Sequence, residues 1–299
     1  MQNTNQHYIP KFLIRRFAEE KFGVCVYLIL KDRILINQNP RNFAACRYMY
    51  NLDETELKEV LEQFILFYPQ IVNALDFSDP LFIEKYFSRI EGEVNQLFTR
   101  ILQQDHLVLS LEDKFKLIIF LHDLAYRTKF YRETLDMIAE NSNSIINDIG
   151  KANNMTEKEL KKSYFEVGTK SHIKHFFDLR SFVEFSNMIL SNYEFCYAKN
   201  QGVVDFILSD NPAFQISMGM NDFCFPISPK RAIVLRCKNR GAKMICSIPN
   251  IHHVLLLNSN NVMEYNISNA AFSYEFLFGT YITLKTTLDK YTFGHFEFN

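Results

Sequence analysis

Strand-like and helix-like hydrophobic patterns alternate along the chain. Residues 24–30 and 32–38 are short aliphatic and β-branched runs with a polar break between them, which is typical of a β-hairpin. From about 51 to 200, apolar side chains recur at spacings of three and four, which predicts a succession of helices. Strand-like runs return between 203 and 257, and the pattern over about 261–280 predicts a last helix.

Local signals predict where several helices begin. Pro10 suits the first turn of a short helix that extends to about Glu20. Asp79 and Ser110 are predicted N-caps for two of the later helices, because their side chains accept hydrogen bonds from free backbone N–H groups. Asp113 lies three residues after Ser110, so this pair resembles a capping box.

These patterns predict a single α+β domain over residues 1–299. It is strand-rich over 1–50 and 200–260 and helical over 51–200, with a C-terminal helix at about 261–280. No stretch rich in Pro, Gly or Ser divides the blocks, and no repeat of about 20 to 50 residues is visible. We expect the N- and C-terminal strands to form a mixed or antiparallel sheet packed against the helical middle.

Composition excludes several classes of protein. With 47% hydrophobic and 22% charged residues, and only nine Gly and eight Pro, the chain is neither disordered nor collagen-like. Its start is polar, its six cysteines form no C-x-x-C pair, and its apolar runs are too short to span a bilayer. These features predict a cytoplasmic protein with no membrane partner, and they do not predict its oligomeric state.

Charge is segregated along the chain although the net charge is only −1. Residues 1–50 hold eight Lys and Arg against three acids, residues 51–113 hold four against thirteen, and residues 223–263 hold six against none. If the two basic segments lie side by side, they form a face that suits phosphates, whereas the alternative is ordinary solvated surface. The phosphate contacts expected from this distribution are Arg15, Arg16, Lys230 and Arg231.

His7 lies directly before the first predicted helix, in the string HYIPKFLIRRF. The free N–H groups at a helix start attract anions, and an imidazole beside them can act as a general base, a metal ligand or a phosphate contact. A structural alternative is that His7 only hydrogen-bonds the first turn of the helix.

Asp210 and Asn211 follow a predicted strand in the string VVDFILSDNPAF. A carboxylate at a strand end, opened to solvent by a Pro-enforced turn, can bind a metal ion or act as a base. An Asx-turn before Pro212 requires the same residue types for conformational reasons alone.

Arg127 falls on the apolar side of its predicted helix, so its guanidinium needs a partner. Asp123, four residues earlier, is one candidate, and a phosphate or a carboxylate from another segment is the other.

The motifs of P-loop NTPases, dinucleotide-binding folds, α/β-hydrolases and zincins are absent from the sequence, which excludes the usual forms of those functions.

Five strings occur in a recognisable order along the chain: HYIPKFLIRRF, LAYRT, ILSDNP, FPISPKRAIVL and a late Asn266. This series resembles the family known as domain of unknown function 4238, and the resemblance spans roughly residues 5 to 280. Ile227 replaces the Leu of the family's Pro-Leu-Ser-Pro, and Lys129 follows Arg127-Thr128 where a Pro is common. The family is bacterial and phage-borne and includes members among mobile-element genes that protect cells against phage.

The resemblance implies that the polar residues of these strings form one site. We expect His7 and Asp210 to act as bases or metal ligands, and Arg127 to hold a phosphate that Asn211 orients, with Glu91 completing the set. The function that follows is a phage-defence effector that hydrolyses a phosphoester of nucleic acid or a nucleotide. A divalent metal ion is compatible with these ligands. The alternative is a non-enzymatic sensor or interaction protein that recognises a phage component.

Overall fold

The computed structural model describes residues 5–19, 23–62, 79, 81–213, 222–238, 250–251 and 253–291, and confirms the α+β class. Within these residues the helices are α1 (Lys11–Arg15), α2 (Glu54–Val60), α3 (Phe82–Leu102), α4 (Leu111–Tyr126), α5 (Lys129–Ala152), α6 (Glu157–Ser163), α7 (Thr169–Phe176), α8 (Leu179–Asn192), α9 (Ser259–Ala271) and α10 (Tyr281–Lys290). The strands are β1 (Asn5–His7), β2 (Val24–Leu28), β3 (Arg33–Gln38), β4 (Ala45–Arg47), β5 (Tyr193–Asn200), β6 (Leu208–Ser209), β7 (Phe223–Ser228), β8 (Arg231–Cys237), β9 (Asn250–Ile251), β10 (Val254–Leu257) and β11 (Phe276–Gly279).

The strands form three sheets that join distant parts of the chain. A four-stranded sheet has the order β3-β2-β11-β6, and its neighbours are all antiparallel. A five-stranded sheet has the order β7-β8-β5-β10-β9 and is mixed, because β10 pairs with β5 in parallel. A two-stranded antiparallel sheet joins β1 to β4 and pairs His7 with Ala45.

Several predicted elements are confirmed where local sequence decides them. The hairpin forms from β2 and β3 across a 3₁₀ turn at Ile29–Lys31. Ser110 begins α4 with the expected capping box, since its side chain accepts from the N–H of Asp113 and the Asp113 carboxylate accepts in return. The predicted N-cap at Asp79 is wrong, because Leu81 holds that position; Asp79 lies three residues before the first residue of α3 and accepts from the N–H of Leu81 at 2.9 Å.

Two strands were wrongly predicted as helix. Residues 193–200 form β5 at the centre of the five-stranded sheet, and residues 276–279 form β11 between β2 and β6. In both cases pairing with strands that are distant in sequence outweighs the local pattern. The predicted last helix over 261–280 is therefore α9 followed by β11, and a further helix, α10, comes after it.

Other predicted elements are shorter than expected. Helix α1 ends at Arg15 instead of about Glu20, because Glu19 and Gly23 exchange backbone hydrogen bonds in an isolated bridge. The predicted strand over 203–208 is reduced to the two residues of β6. Three predicted features lie outside the described residues: Glu20, the part of the first long predicted helix beyond residue 62, and the basic stretch 239–249.

Aromatic packing fixes the position of α1 and therefore of His7. Phe12 of α1 lies 6.2 Å, centroid to centroid, from both Phe98 of α3 and Phe120 of α4. Phe120 in turn packs edge to face against Phe98 and, at 6.0 Å, against Phe225 of β7, and the Phe98 ring is tilted against Phe225. Buried rings of this kind contribute large hydrophobic stabilisation, so α1 is anchored to the helices and to the five-stranded sheet together.

Candidate functional site

His7 is a buried imidazole surrounded by positive charge. The residue is 6% exposed, and neither ring nitrogen makes a hydrogen bond of good geometry, although the backbone of Arg41 raises the pKa of the ring. Burial and the charges of Lys11, Arg127 and Arg41 lower the pKa of His7 from 6.5 to about 4. The ring is therefore neutral at physiological pH and carries a nitrogen lone pair that no group in the described residues uses.

Arg127 lies at the C-terminal end of α4 and is almost fully buried, at 1% exposed. Its Nε donates to the carbonyl oxygen of Tyr8 at 2.9 Å, and its Nη1 donates to the Glu91 carboxylate at 3.0 Å. The guanidinium carbon lies 4.8 Å from the centroid of the Phe87 ring. The remaining nitrogen, Nη2, is buried without a hydrogen-bond partner, so Arg127 has an unused donor.

The contacts of Arg127 decide between the two alternatives left open by its sequence position. The ion pair joins Arg127 to Glu91 on α3, a carboxylate from another segment, instead of to Asp123 within its own helix. Only the backbone joins the latter pair, through the N–H of Arg127 and the carbonyl of Asp123. The link to Tyr8 brings Arg127 close to His7 in the fold.

Two carboxyl groups lie on the same side of α3 as this cluster. Glu84 and Glu91 are seven residues apart, which is two helical turns, and both are half-buried. Burial raises the pKa of Glu91, while its Arg127 partner opposes the shift. Burial and the neighbouring Glu91 likewise raise the pKa of Glu84. Sequence reasoning found Glu91 but missed Glu84, although their common helical face was a usable signal.

Asp210 is buried and hydrogen-bonds the end of β6 to the start of β11. Its Oδ1 accepts from the N–H of Tyr274 at 2.8 Å and its Oδ2 from the N–H of Glu275 at 2.7 Å, directly before β11. Its own N–H donates to the carbonyl of Phe276 at 3.1 Å. Burial raises the pKa of Asp210 to about 7, and the two backbone donors oppose this shift. Its carboxylate oxygens are thus engaged by the backbone.

Tyr8 and Glu275 connect Asp210 to the region around His7. The Tyr8 hydroxyl donates to Glu275 Oε2 at 3.1 Å, and Lys129 forms an ion pair with the other oxygen of that carboxylate. Burial and the charges of Asp210 and Glu275 raise the pKa of the Tyr8 phenol far above its ordinary value. Asp210 and His7 therefore belong to two polar groups joined by Tyr8, whose hydroxyl contacts Glu275 and whose carbonyl contacts Arg127, and no described contact joins Asp210 to His7 directly.

Asn211 lies beside Asp210 and is also buried, at 3% exposed. Its N–H donates to the hydroxyl oxygen of Ser209 at 3.1 Å, as in a turn stabilised by a serine side chain. Its side-chain oxygen Oδ1 is buried without a hydrogen-bond partner. The turn at this strand end therefore uses the Ser209 hydroxyl, because both Asp210 oxygens accept from Tyr274 and Glu275 and do not form the alternative Asx-turn.

The structure does not bring the four predicted phosphate contacts to His7, and three of them have other partners. Because α1 is only five residues long, Arg15 and Arg16 lie at its end opposite to His7; Arg15 is exposed, and Arg16 hydrogen-bonds Asn95 and Thr99. Lys230 pairs with Asp205 and Arg231 lies over the Tyr197 ring. The cations beside His7 are instead Lys11, Arg41 and Arg127.

His7 and Asp210 were predicted as metal ligands, but the described residues do not place them in a common set of ligands. Across the part of the chain that the structure describes, neither residue belongs to a group of three His, Cys, Asp or Glu side chains with closely spaced ligand atoms. Both Asp210 oxygens accept backbone hydrogen bonds, and His7 lies among cations, which oppose the binding of another positive ion.

The Asp210→Asn substitution is expected to lower the free energy of unfolding by about 1–3 kcal/mol, because the new amide nitrogen would face a backbone N–H and leave it unsatisfied. Urea denaturation measures the change. A matched control is Asp205→Asn, which loses a pair with half-exposed Lys230 and is expected to cost less than about 1 kcal/mol. Equal effects of the two substitutions would show that the two backbone hydrogen bonds of Asp210 contribute no more stability than the Asp205 ion pair.

No helix within the described ranges is both long and apolar enough to cross a membrane. Neither a curated protein nor a solved structure gives a significant match to the chain. The family model described as "Protein of unknown function (DUF4238)" matches residues 5–281. This match covers most of the 299 residues, and the chain therefore belongs to the DUF4238 family.

Proposed function

We propose that the chain binds the phosphate of a nucleotide or nucleic acid beside His7 and hydrolyses its phosphoester. The observation that carries this proposal is a buried neutral imidazole without hydrogen-bond partners, next to three cationic side chains. Buried polar groups without partners are rare in proteins, and a ligand that supplies the partners is one explanation. Phosphate is the ligand class that matches positive charge together with a free guanidinium N–H.

Each side chain has a distinct part in binding. The Nη2 of Arg127 donates to one phosphate oxygen, and its other nitrogens are already fixed by Tyr8 and Glu91. This fixation lowers the entropic cost of binding, because the guanidinium does not need to be ordered. Lys11 is half-buried and Arg41 is exposed, so these two cations supply positive charge closer to solvent than Arg127.

The bound phosphate also prepares His7 as a base. Its pKa of about 4 is low for a general base, but the negative charge of a phosphate offsets the cations that lower it. In the proposed reaction a water oxygen attacks phosphorus while the water proton passes to His7. The ester P–O bond breaks, and the leaving oxygen takes a proton from Glu84, whose raised pKa favours the acid form.

Asp210 and Asn211 have a positioning role in this proposal. Asp210 holds the backbone of Glu275, and Glu275 holds the Tyr8 ring next to His7. The phage-defence setting suggested by the resemblance is part of the same proposal, with nucleic acid or nucleotide in the infected cell as the substrate.

The proposal is tested by hydrolysis assays on the purified chain with single-stranded and duplex nucleic acids and with nucleotides, each with and without Mg²⁺ or Mn²⁺. We expect His7→Gln to slow hydrolysis by about 100-fold, the low end of the range for loss of a general base. The matched control is His106→Gln at an exposed histidine, which is expected to leave the rate unchanged. Wild-type rates in a folded His7→Gln variant would contradict the proposal.

A second candidate function is a non-enzymatic sensor that binds a phage component through the same anion site. The low pKa of His7 favours it, because a neutral imidazole can donate its N–H to a phosphate oxygen but is a weak base. The two functions differ in one result: a sensor binds a phosphate-bearing ligand, loses affinity on Arg127→Lys and releases no product.

A further inference from the structure

The side chains of Glu194, Cys196 and His253 converge on the five-stranded sheet, away from the elements that carry His7. One possible ligand atom of each residue lies within 4.8 Å of those of the other two. We propose that these three residues form a transition-metal site, with Zn²⁺ as the best-matched ion. This proposal does not depend on the proposed function at His7.

The sheet itself brings the three ligands together. Glu194 and Cys196 are two residues apart on β5, so their side chains lie on the same face. His253 directly precedes β10, which pairs with β5 in parallel. The carbonyl of His253 accepts from the N–H of Tyr197 at 2.7 Å, which fixes the histidine backbone beside the two β5 ligands.

The backbone of His253 adopts an unusual conformation. Its φ of 61° lies in the left-handed region, which is uncommon for residues other than glycine. Such strained residues cluster at functional sites, where the surrounding structure holds them in place. Here the conformation directs the imidazole toward β5, since His253 Nδ1 lies 2.9 Å from Glu194 Oε1.

The imidazole nitrogen of His253 and the carboxylate oxygen of Glu194 need only a small movement to bind one ion together. Zn–N and Zn–O bonds of about 2.1 Å at a tetrahedral angle require a nitrogen to oxygen distance of about 3.4 Å. The present 2.9 Å must therefore open by about half an ångström. The side chains that must move are the accessible ones, since His253 is 54% exposed and Glu194 34% exposed, whereas Cys196 is buried.

The donor set selects the class of ion. A sulfur, an imidazole nitrogen and a carboxylate oxygen suit Zn²⁺ and neighbouring transition metals, whereas Mg²⁺ and Ca²⁺ prefer oxygen ligands alone. Binding replaces the S–H bond of Cys196 with an S–metal bond and releases its proton to solvent. Three protein ligands leave the fourth tetrahedral position for water or a ligand.

The probe is Co²⁺, titrated into the full chain after treatment with a chelator. We expect one Co²⁺ per chain with a thiolate-to-cobalt charge-transfer band in the near ultraviolet, and a rise in melting temperature when Zn²⁺ is added. Cys196→Ser is expected to remove the band, and His253→Gln to weaken Co²⁺ binding by about tenfold or more.

The matched control is Cys224→Ser. Cys224 is buried in the same sheet, and both Cys196 and Cys224 lie opposite Val234 of β8 in the strand register. This variant is expected to keep the charge-transfer band. If Cys196→Ser does not fold, the exposed His253 still provides the test.

The proposal is overturned if no thiolate band appears at saturating Co²⁺. It is equally overturned if the band survives in a folded Cys196→Ser variant, or if His253→Gln leaves the affinity for Co²⁺ unchanged. In either case Glu194 and His253 form only a surface ion pair.

Discussion

Replacement of Arg127 by methionine is expected to lower the free energy of unfolding by about 3–5 kcal/mol. Methionine approximates the volume of the arginine stem but supplies no donor. The carbonyl of Tyr8 and the carboxylate of Glu91 would then lose their described Arg127 donors. Burial without partners makes both losses costly, and the missing guanidinium also removes the contact with the Phe87 ring.

Urea denaturation at pH 7 measures this change. Arg89→Met is the matched control, because Arg89 lies on the same helix as Glu91 and its ion pair with Glu93 is exposed. That control is expected to cost less than about 1 kcal/mol. Adding Glu91→Gln to Arg127→Met is expected to recover part of the loss, because it removes the unpaired charge. A loss below about 1 kcal/mol for Arg127→Met alone would show that the pair is solvated and weak.

Acidification from pH 6.5 to 4 is expected to destabilise the wild type by about 3 kcal/mol more than the His7→Gln variant. The pKa of His7 is 6.5 in the unfolded chain and about 4 in the folded protein. Over this range the unfolded state binds the proton and the folded state does not, so stability falls as the pH falls. A difference of about 2.5 pH units corresponds to about 3 kcal/mol.

Comparison with the variant isolates the titration of His7. Burial lowers the pKa of His172 to about 3, so His172 also reduces the stability of the folded protein on acidification. The raised pKa of Asp210 acts in the opposite direction. Both effects are present in wild type and variant, so they cancel in the difference. Denaturation midpoints measured at a series of pH values provide the curve. Parallel curves for the two proteins would mean that His7 titrates normally in the folded state.

Local chemistry was sufficient to predict some elements of the fold and insufficient for others. The capping box at Ser110 depends on residues three apart, and the β2–β3 hairpin depends on one short turn, so sequence alone predicts both. Strand β11 depends on pairing with β2, about 250 residues earlier in the chain. Its aromatic residues fit a helix or a strand equally well, and only the distant partner decides between them.

The candidate site shows the same limit. His7 and Arg127 were found from their residue types and motifs, and the structure brings them together. Arg41 was missed because it approaches His7 only when β4 pairs with β1, a contact that no local pattern encodes. Asp210 was predicted as a base or metal ligand, yet both its oxygens accept backbone N–H groups in the fold. Its residue type could not distinguish these roles.

The central claim is that His7 is a neutral imidazole in an anion-binding site, and the most direct test is an NMR pH titration of its ring protons. The signal is assigned by its loss in His7→Gln, and the titration is run with and without inorganic phosphate or a nucleoside monophosphate. We expect a pKa near 4 without the anion and a clear rise toward neutrality when the anion saturates the site. A pKa near 6.5 in the free protein, or no response to either anion, would contradict the claim.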